Sequence, residues 1–273
     1  VNALAETTRS LRARGRKALV AYFTAGYPDD DAFAALVRAA VAVGADLIEV
    51  GIPFSDPIAD GPVIQASSNA ALARGMTLTR ALEAIARLSR DVRVPMVVMS
   101  YVNPILKLGV DAFARAAARA GVAGVVLPDV SFEESPAFRP ALREAGLAYV
   151  DLVAPTSDEA RAREIARASE GFVYAVSMTG VTGSRAAGKA DVEGIVARVR
   201  AATDTPVYVG FGVSTPQAAA EIATAADGVI IGSRLMQLAA DGPARAAAGR
   251  IGDFLASVRH ELDSLAGDER PRS

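Results

Sequence analysis

The sequence predicts an α/β chain closed into a (β/α)8 (TIM) barrel, with an extra N-terminal helix before the first strand and a short extra helix after strand eight. Three observations carry that expectation. Short runs of Val, Ile and Leu alternate eight times with longer Ala/Arg/Glu-rich segments of helical period, the pattern of repeated βα units around a parallel sheet. The strands are nearly all apolar, as in a sheet covered on both faces. The first βα turn, Thr24-Ala25-Gly26-Tyr27-Pro28, lacks the Gly-x-Gly-x-x-Gly of an open doubly wound sheet. No linker or low-complexity tract divides the chain, so residues 1–266 are expected to form one barrel domain, with 267–273 as a flexible C-terminal tail.

Taken in order, a helix over 3–14 is placed to cover the barrel floor. Strands are expected at 18–23, 47–50, 96–100, 124–127, 149–153, 173–177, 207–209 and 228–231. The segments between them are amphipathic at 30–43, 77–89, 110–120, 135–145, 157–168, 192–202 and 215–225. Asp30, Thr77, Ser157 and Thr215 stand where a side-chain oxygen can satisfy a free amide of the first helical turn. Thr215-Pro216 puts proline at the first helical position, where its missing N–H costs nothing. Helices over 233–240 and 244–265 close the chain.

Composition narrows the chemistry. The 273 residues include no Cys and one His, so disulfides, thiolate nucleophiles and Cys-ligated metal sites are excluded. A Ser-His-Asp triad or His-rich metal site would rest on His260 alone, within the helical segment DFLASVRHELDSL. Lys+Arg 29 against Asp+Glu 31 gives a net charge of -2 with no block of one sign, which disfavours nucleic-acid and membrane-surface partners. The first residues lack an apolar signal-peptide core, and no run approaches the ~20 residues of a membrane span, so a cytoplasmic location is expected.

In a barrel, chemistry gathers where strands end and the following loops begin. Glu49 interrupts the apolar strand Leu47-Ile48-Glu49-Val50, where a carboxylate must be paired, protonated or poised for proton transfer. Desolvation raises its pKa and suits it to general acid/base work near neutrality. Asp60 follows eleven residues later, in a loop framed by Pro57 and Pro62. After strands seven and eight come Gly210-Phe211-Gly212 and Gly232-Ser233, the latter opening a short helix, which is where barrels commonly bind phosphate. The strand-six loop carries Gly180, Gly183 and Gly188, which suits a lid or simply a flexible loop. None of the three lysines, Lys17, Lys107 and Lys189, lies in an expected strand, so a Schiff-base aldolase is poorly supported. What remains is a phosphorylated small molecule processed by carboxylate acid/base catalysis.

The segment Leu47-Ile-Glu-Val-Gly-Ile-Pro-Phe-Ser-Asp-Pro-Ile-Ala-Asp-Gly-Pro-Val-Ile-Gln65 closely resembles the signature of the tryptophan synthase alpha subunit family. Tyr101-Val-Asn-Pro104, Pro128-Asp129, Gly180-Val-Thr-Gly183 and Gly210-Phe-Gly212 follow in the same order and spacing, so the resemblance spans essentially the whole chain. It implies retro-aldol cleavage of indole-3-glycerol phosphate to indole and glyceraldehyde 3-phosphate. By the same resemblance Glu49 protonates C3 of the indole and takes the glycerol hydroxyl proton, while Asp60 accepts the indole N–H. Tyr22, Tyr101, Tyr174, Thr182, Gly183, Phe211, Gly212, Gly232 and Ser233 match substrate-side positions, Tyr22 standing where relatives often carry Phe. Met178 stands where many carry Arg. No cofactor is implied for this chain. The implied partner is a pyridoxal-phosphate beta subunit in an αββα tetramer, with Asp56, Pro57 and Asn103 at interface positions. A free-standing lyase, a non-catalytic phosphate-binding barrel and a ribose-phosphate isomerase remain open alternatives.

Overall fold

A computed structural model describes residues 2–176, 189–210 and 212–268. Among the described residues nine parallel strands form one sheet in the order β5-β4-β3-β2-β1-β9-β8-β7-β6. They are β1 Ala18–Thr24, β2 Leu47–Gly51, β3 Met96–Met99, β4 Val122–Val126, β5 Ala148–Val150, β6 Leu152–Val153, β7 Val173–Val176, β8 Val207–Gly210 and β9 Gly228–Ile231. β5 and β6 are two halves of one barrel strand, the fifth expected from the sequence. The first half pairs with β4 and the second with β7, so the ladder runs around the barrel. The break falls at Asp151, whose backbone N–H donates to Ser169 Oγ at 3.0 Å instead of to a neighbouring strand. Its carboxylate pairs with Arg139.

Alternate strand residues face inward, because a strand's side chains have a period of two. Val20, Leu47, Val97, Val126, Val150, Tyr174, Tyr208 and Ile230 form the inner cluster, and Leu4 and Leu11 of α1 (Ala3–Ala13) join it. The N-terminal helix therefore plugs the floor, as expected. Asn2 caps it, accepting from Leu4 N–H at 2.8 Å. At Gly171 a Cβ would fall 2.7 Å from Leu4 Cδ2, so a side chain there would push the plug out.

Outside the barrel, α2 (Asp30–Ala42), α4 (Leu78–Leu88), α6 (Val110–Ala120), α7 (Arg139–Glu144), α8 (Glu159–Ala168), α9 (Lys189–Arg200), α10 (Pro216–Ala225) and α12 (Ala244–Asp268) cover the strands. The short extra helix is α11 (Ser233–Ala240). Several expectations need correction. Two helices lie outside the expected set, α3 (Pro62–Ala73) after the β2 loop and α5 (Val102–Leu108) directly after β3. The helix expected over 135–145 is a 3-10 turn, Ser135–Ala137, followed by α7. Pro140 has no N–H to give and can sit only in a first turn, so the helix restarts there. Asp29, not Asp30, caps α2 through Ala32 N–H, and Asp158, not Ser157, caps α8 through Arg161 N–H. Thr77 and Thr215 cap as expected. α12 runs on to Asp268, two residues past 266.

Candidate active site

Glu49 sits mid-strand in β2, flanked by Tyr22 of β1 and Val97 of β3. It is 2% exposed, and among the described residues neither carboxylate oxygen has a partner at hydrogen-bonding geometry. Burial pushes its pKa up to about 8, the negative charge of Asp60 adds to the rise, and the nearby Tyr174 hydroxyl opposes it. A carboxyl in this state keeps its proton at neutral pH.

Room for this arrangement comes from two glycines. A Cβ on Gly51 would lie 2.0 Å from the Tyr22 hydroxyl, and one on Gly210 would lie 2.4 Å from the Tyr174 hydroxyl. Each tyrosine thus leans over a neighbouring strand where only glycine leaves space. Tyr22 and Tyr174 are both 6% exposed.

Asp60 is half-buried in the loop that follows β2. Its N–H donates to Pro57 carbonyl oxygen at 3.0 Å, and Gln65 Nε2 donates to its carbonyl oxygen at 2.8 Å, so the loop is tied to α3. Tyr101, the N-cap residue of α5, ties it to that helix: its hydroxyl accepts from Ala59 N–H at 2.9 Å, and its ring stacks on Phe54 with centroids 5.1 Å apart. Burial raises the Asp60 pKa to about 6, against a lowering hydrogen bond from Tyr101. Asp129 caps α5, accepting from Val102 N–H at 3.0 Å and so setting the backbone beside Tyr101.

A cavity of about 430 Å³ opens at the strand ends, with Ala59, Met99, Leu127, Leu152, Tyr174 and Val176 among its walls. That is ample for a bicyclic ring and its substituent. Glu49 and Asp60 do not line it, but Ala59 and Tyr174 do. Across the barrel mouth, α11 begins at Gly232 with no side-chain cap, and Met236 N–H is the first to bond back, to Gly232 carbonyl oxygen. The N–H groups of Ser233, Arg234 and Leu235 are the free donors of a helix start. Gly212 has φ +76, a left-handed backbone suited to glycine. At Gly232 a Cβ would meet only ordinary contacts, the nearest at 3.4 Å.

The outer rim of the same face holds the expected docking residues. Asp56 and Asn103 are exposed and Pro57 half-buried. The large hydrophobic residues exposed among the described residues are Ile58 (85%), Leu106 (54%) and Leu108 (39%), all in the two elements that the Tyr101 contacts join. Thr182, Gly183, Met178, Phe211 and the glycine-rich loop at 177–188 lie outside the described residues. His260 is exposed on α12, so it takes no part in the site. No cluster of three or more His, Cys, Asp or Glu able to hold a metal occurs among the described residues. Sequence reasoning passed over the buried hydroxyls of Thr24 and Ser67 and gave Asp129 no role. The only available sequence signal was a polar residue on an apolar strand or helix face.

The family model for the tryptophan synthase alpha chain matches residues 8–258. This chain belongs to that family. It is 45% identical to the tryptophan synthase alpha chain of Geobacter sulfurreducens, over 95% of this chain and 98% of the relative. It is 47% identical to that of Laribacter hongkongensis, over 97% and 100%. Among solved structures, tryptophan synthase subunit alpha from Legionella pneumophila superposes with a TM-score of 0.89 at 32% identity, covering 97% of this chain and 99% of that one. As a member of the tryptophan synthase alpha chain family the protein is a lyase that cleaves indole-3-glycerol phosphate and hands indole to a beta subunit. No described helix is long and apolar enough to cross a membrane.

Proposed function

We propose that Glu49 and Asp60 carry the cleavage and that the remaining site residues hold the substrate around them. The supporting observation is Glu49 itself, a buried carboxyl held protonated near neutrality, with no partner at hydrogen-bonding geometry among the described residues. Protonation of indole C3 by Glu49 turns the ring into an electron sink. The carboxylate left behind then takes the proton of the glycerol hydroxyl on the carbon attached to the ring. That oxygen becomes the aldehyde as the carbon–carbon bond breaks, and its electrons return to the ring. Asp60, largely ionised at neutral pH, accepts the indole N–H and stabilises the cationic ring.

The indole ring is assigned to the cavity walled by Met99, Leu127, Leu152 and Tyr174, with Tyr22 and Tyr101 beside it, and Thr182 and Phe211 are assigned to the substrate on the family resemblance alone. The phosphate is assigned to Gly212, Gly232 and Ser233, the free amides and dipole of the α11 start favouring an anion, and Gly183 is added on the family resemblance alone. Among the described residues nothing demands glycine at Gly232, which fits a position kept clear for a ligand. The chain itself is read as needing no cofactor, pyridoxal phosphate belonging to the beta subunit. The exposed apolar residues Ile58 and Leu106, with Asp56, Pro57 and Asn103, are read as the docking rim in a cytoplasmic αββα tetramer. Residues 1–266 are read as one domain, and of the expected tail 269–273 lie outside the described residues.

An indole-release assay with and without beta subunit tests the assignment. Glu49→Gln and Asp60→Asn are each expected to lower turnover at least about 100-fold, the scale of a lost acid/base group. A wild-type rate in Glu49→Gln would return the barrel to a binding role. Turnover indifferent to the beta subunit would make it a free-standing lyase.

A further inference from the structure

Behind Tyr22 runs a chain of hydroxyls that the reaction as written leaves unused. Tyr22 Oη lies 3.5 Å from Thr24 Oγ1, Thr24 Oγ1 lies 2.7 Å from Ser67 Oγ, and Ser67 Oγ lies 2.8 Å from the carbonyl oxygen of Ile64 in α3. Thr24 and Ser67 are 0% and 2% exposed, so solvent does not compete for these bonds.

Proton counting fixes the direction of the chain. A hydroxyl has one proton and a carbonyl oxygen has none. Ser67 donates to Ile64, so Thr24 must donate to Ser67, and Thr24 then has no proton to offer Tyr22. In the Tyr22–Thr24 contact the phenol is the donor. At 3.5 Å this link is longer than an ordinary O–H···O bond, so it orients the phenol without holding it tightly. The lone pairs of Tyr22 Oη are left for the barrel mouth, where Tyr22 stands opposite Glu49 in the β1–β2 register. Gly51 leaves the space in which that oxygen sits.

We propose that Thr24 and Ser67 are positioning residues that present Tyr22 Oη as a hydrogen-bond acceptor to a glycerol hydroxyl of the substrate. Glu49 with its proton offers that end of the substrate a donor, and the phenol oxygen adds an acceptor. A hydroxyl, which both donates and accepts, is satisfied by that pair. The site then favours a hydroxylated side chain, because a ligand without hydroxyls leaves the oriented oxygen unpaired. The proposal rests on the substrate assignment above and extends it to two residues on β1 and α3.

Two ligands separate this role from packing. With the full chain saturated by beta subunit, kcat/KM is measured for indole-3-glycerol phosphate. The Kd is measured for 3-(indol-3-yl)propyl phosphate, the same skeleton without the two hydroxyls. Tyr22→Phe is expected to lower kcat/KM about five- to tenfold, the worth of one hydrogen bond, while the propyl phosphate Kd stays within about twofold. Thr24→Val, nearly isosteric but without the hydroxyl, is expected to show the same pattern at smaller size, and Thr24→Ser to restore it. In a Tyr22→Phe background Thr24→Val should add nothing.

Equal weakening of both ligands, an unchanged kcat/KM in Tyr22→Phe, or a Thr24→Ser variant as impaired as Thr24→Val would each overturn the proposal. Glu49→Gln in the same assay separates the two levels of the argument. If it keeps the wild-type rate, the substrate assignment itself falls; if it is inactive while Tyr22→Phe matches wild type, only the hydroxyl chain falls.

Discussion

Glu49 costs the fold stability wherever it must ionise. Its folded pKa, about 8, stands above the ordinary glutamate range, so the folded state holds a proton that the unfolded chain has already released. The sign follows from linkage: the stabilising contribution is complete below the unfolded value of about 4.3 and is lost as pH rises through about 8. Each tenfold change in acidity is worth about 1.4 kcal/mol, so Glu49→Gln should gain at least that much on wild type between about pH 5 and about pH 9. Urea unfolding at the two pH values measures it, and an equal difference at both would mean that the carboxyl is solvated. Activity should follow the same two groups. Glu49 must begin protonated and Asp60 ionised, so kcat/KM should fall below about 6 and above about 8, as a bell belonging to the coupled pair. Asp60→Asn should abolish the acid limb of its residual activity. It should also move the alkaline limb to lower pH, because the charge that helps raise Glu49 is gone.

Helix starts show how far local sequence reaches. Asp29 and Asp30 are chemically identical candidates, and the choice depends on backbone angles: Asp29 is extended, with φ -153 and ψ 174, and its side chain accepts from Ala32 N–H at 2.8 Å. Asp30 is already helical and pairs with Arg80 at the surface. Asp29→Ala should therefore cost about 1 kcal/mol in denaturant unfolding. Asp30→Ala should cost less, as exposed ion pairs contribute about 0–1 kcal/mol. The eight barrel strands and the outer helices were legible because apolar runs and helical periods are local signals. α3 and α5 were not, since Gly61-Pro62 at the start of α3, and Pro104 within and Gly109 after α5, read as continued loop, and their caps come from Gly61 and from the distant Asp129. The same division holds at the site. Glu49 and Asp60 stood out as charges against an apolar or proline-framed setting, whereas Thr24 and Ser67 meet only when β1 and α3 pack together across 43 positions of sequence.

At the scale of the whole molecule, the barrel's catalytic face is also where its apolar surface is left open. Ile58 belongs to the loop that carries Asp60, and Leu106 belongs to α5, which Asp129 caps beside Tyr101. The Tyr101 hydroxyl on Ala59 N–H and the Phe54–Tyr101 stack join the two segments, so a partner pressing on this rim presses on the loop that positions Asp60. On the proposed docking rim, Tyr101 is then the contact through which a partner would act on the Asp60 loop. Leu106 is the better probe of docking, because its side chain is 54% exposed and it follows the buried Ile105 that anchors α5. Leu106→Asp places a charge where a partner would have to desolvate it, so the beta-subunit concentration needed for half-maximal stimulation of indole release should rise about tenfold or more. Stimulation at saturating partner should remain, because the Tyr101 link is intact. A tenfold fall in turnover without the partner would place the damage inside the barrel, and an unmoved titration midpoint would remove this rim from the interface.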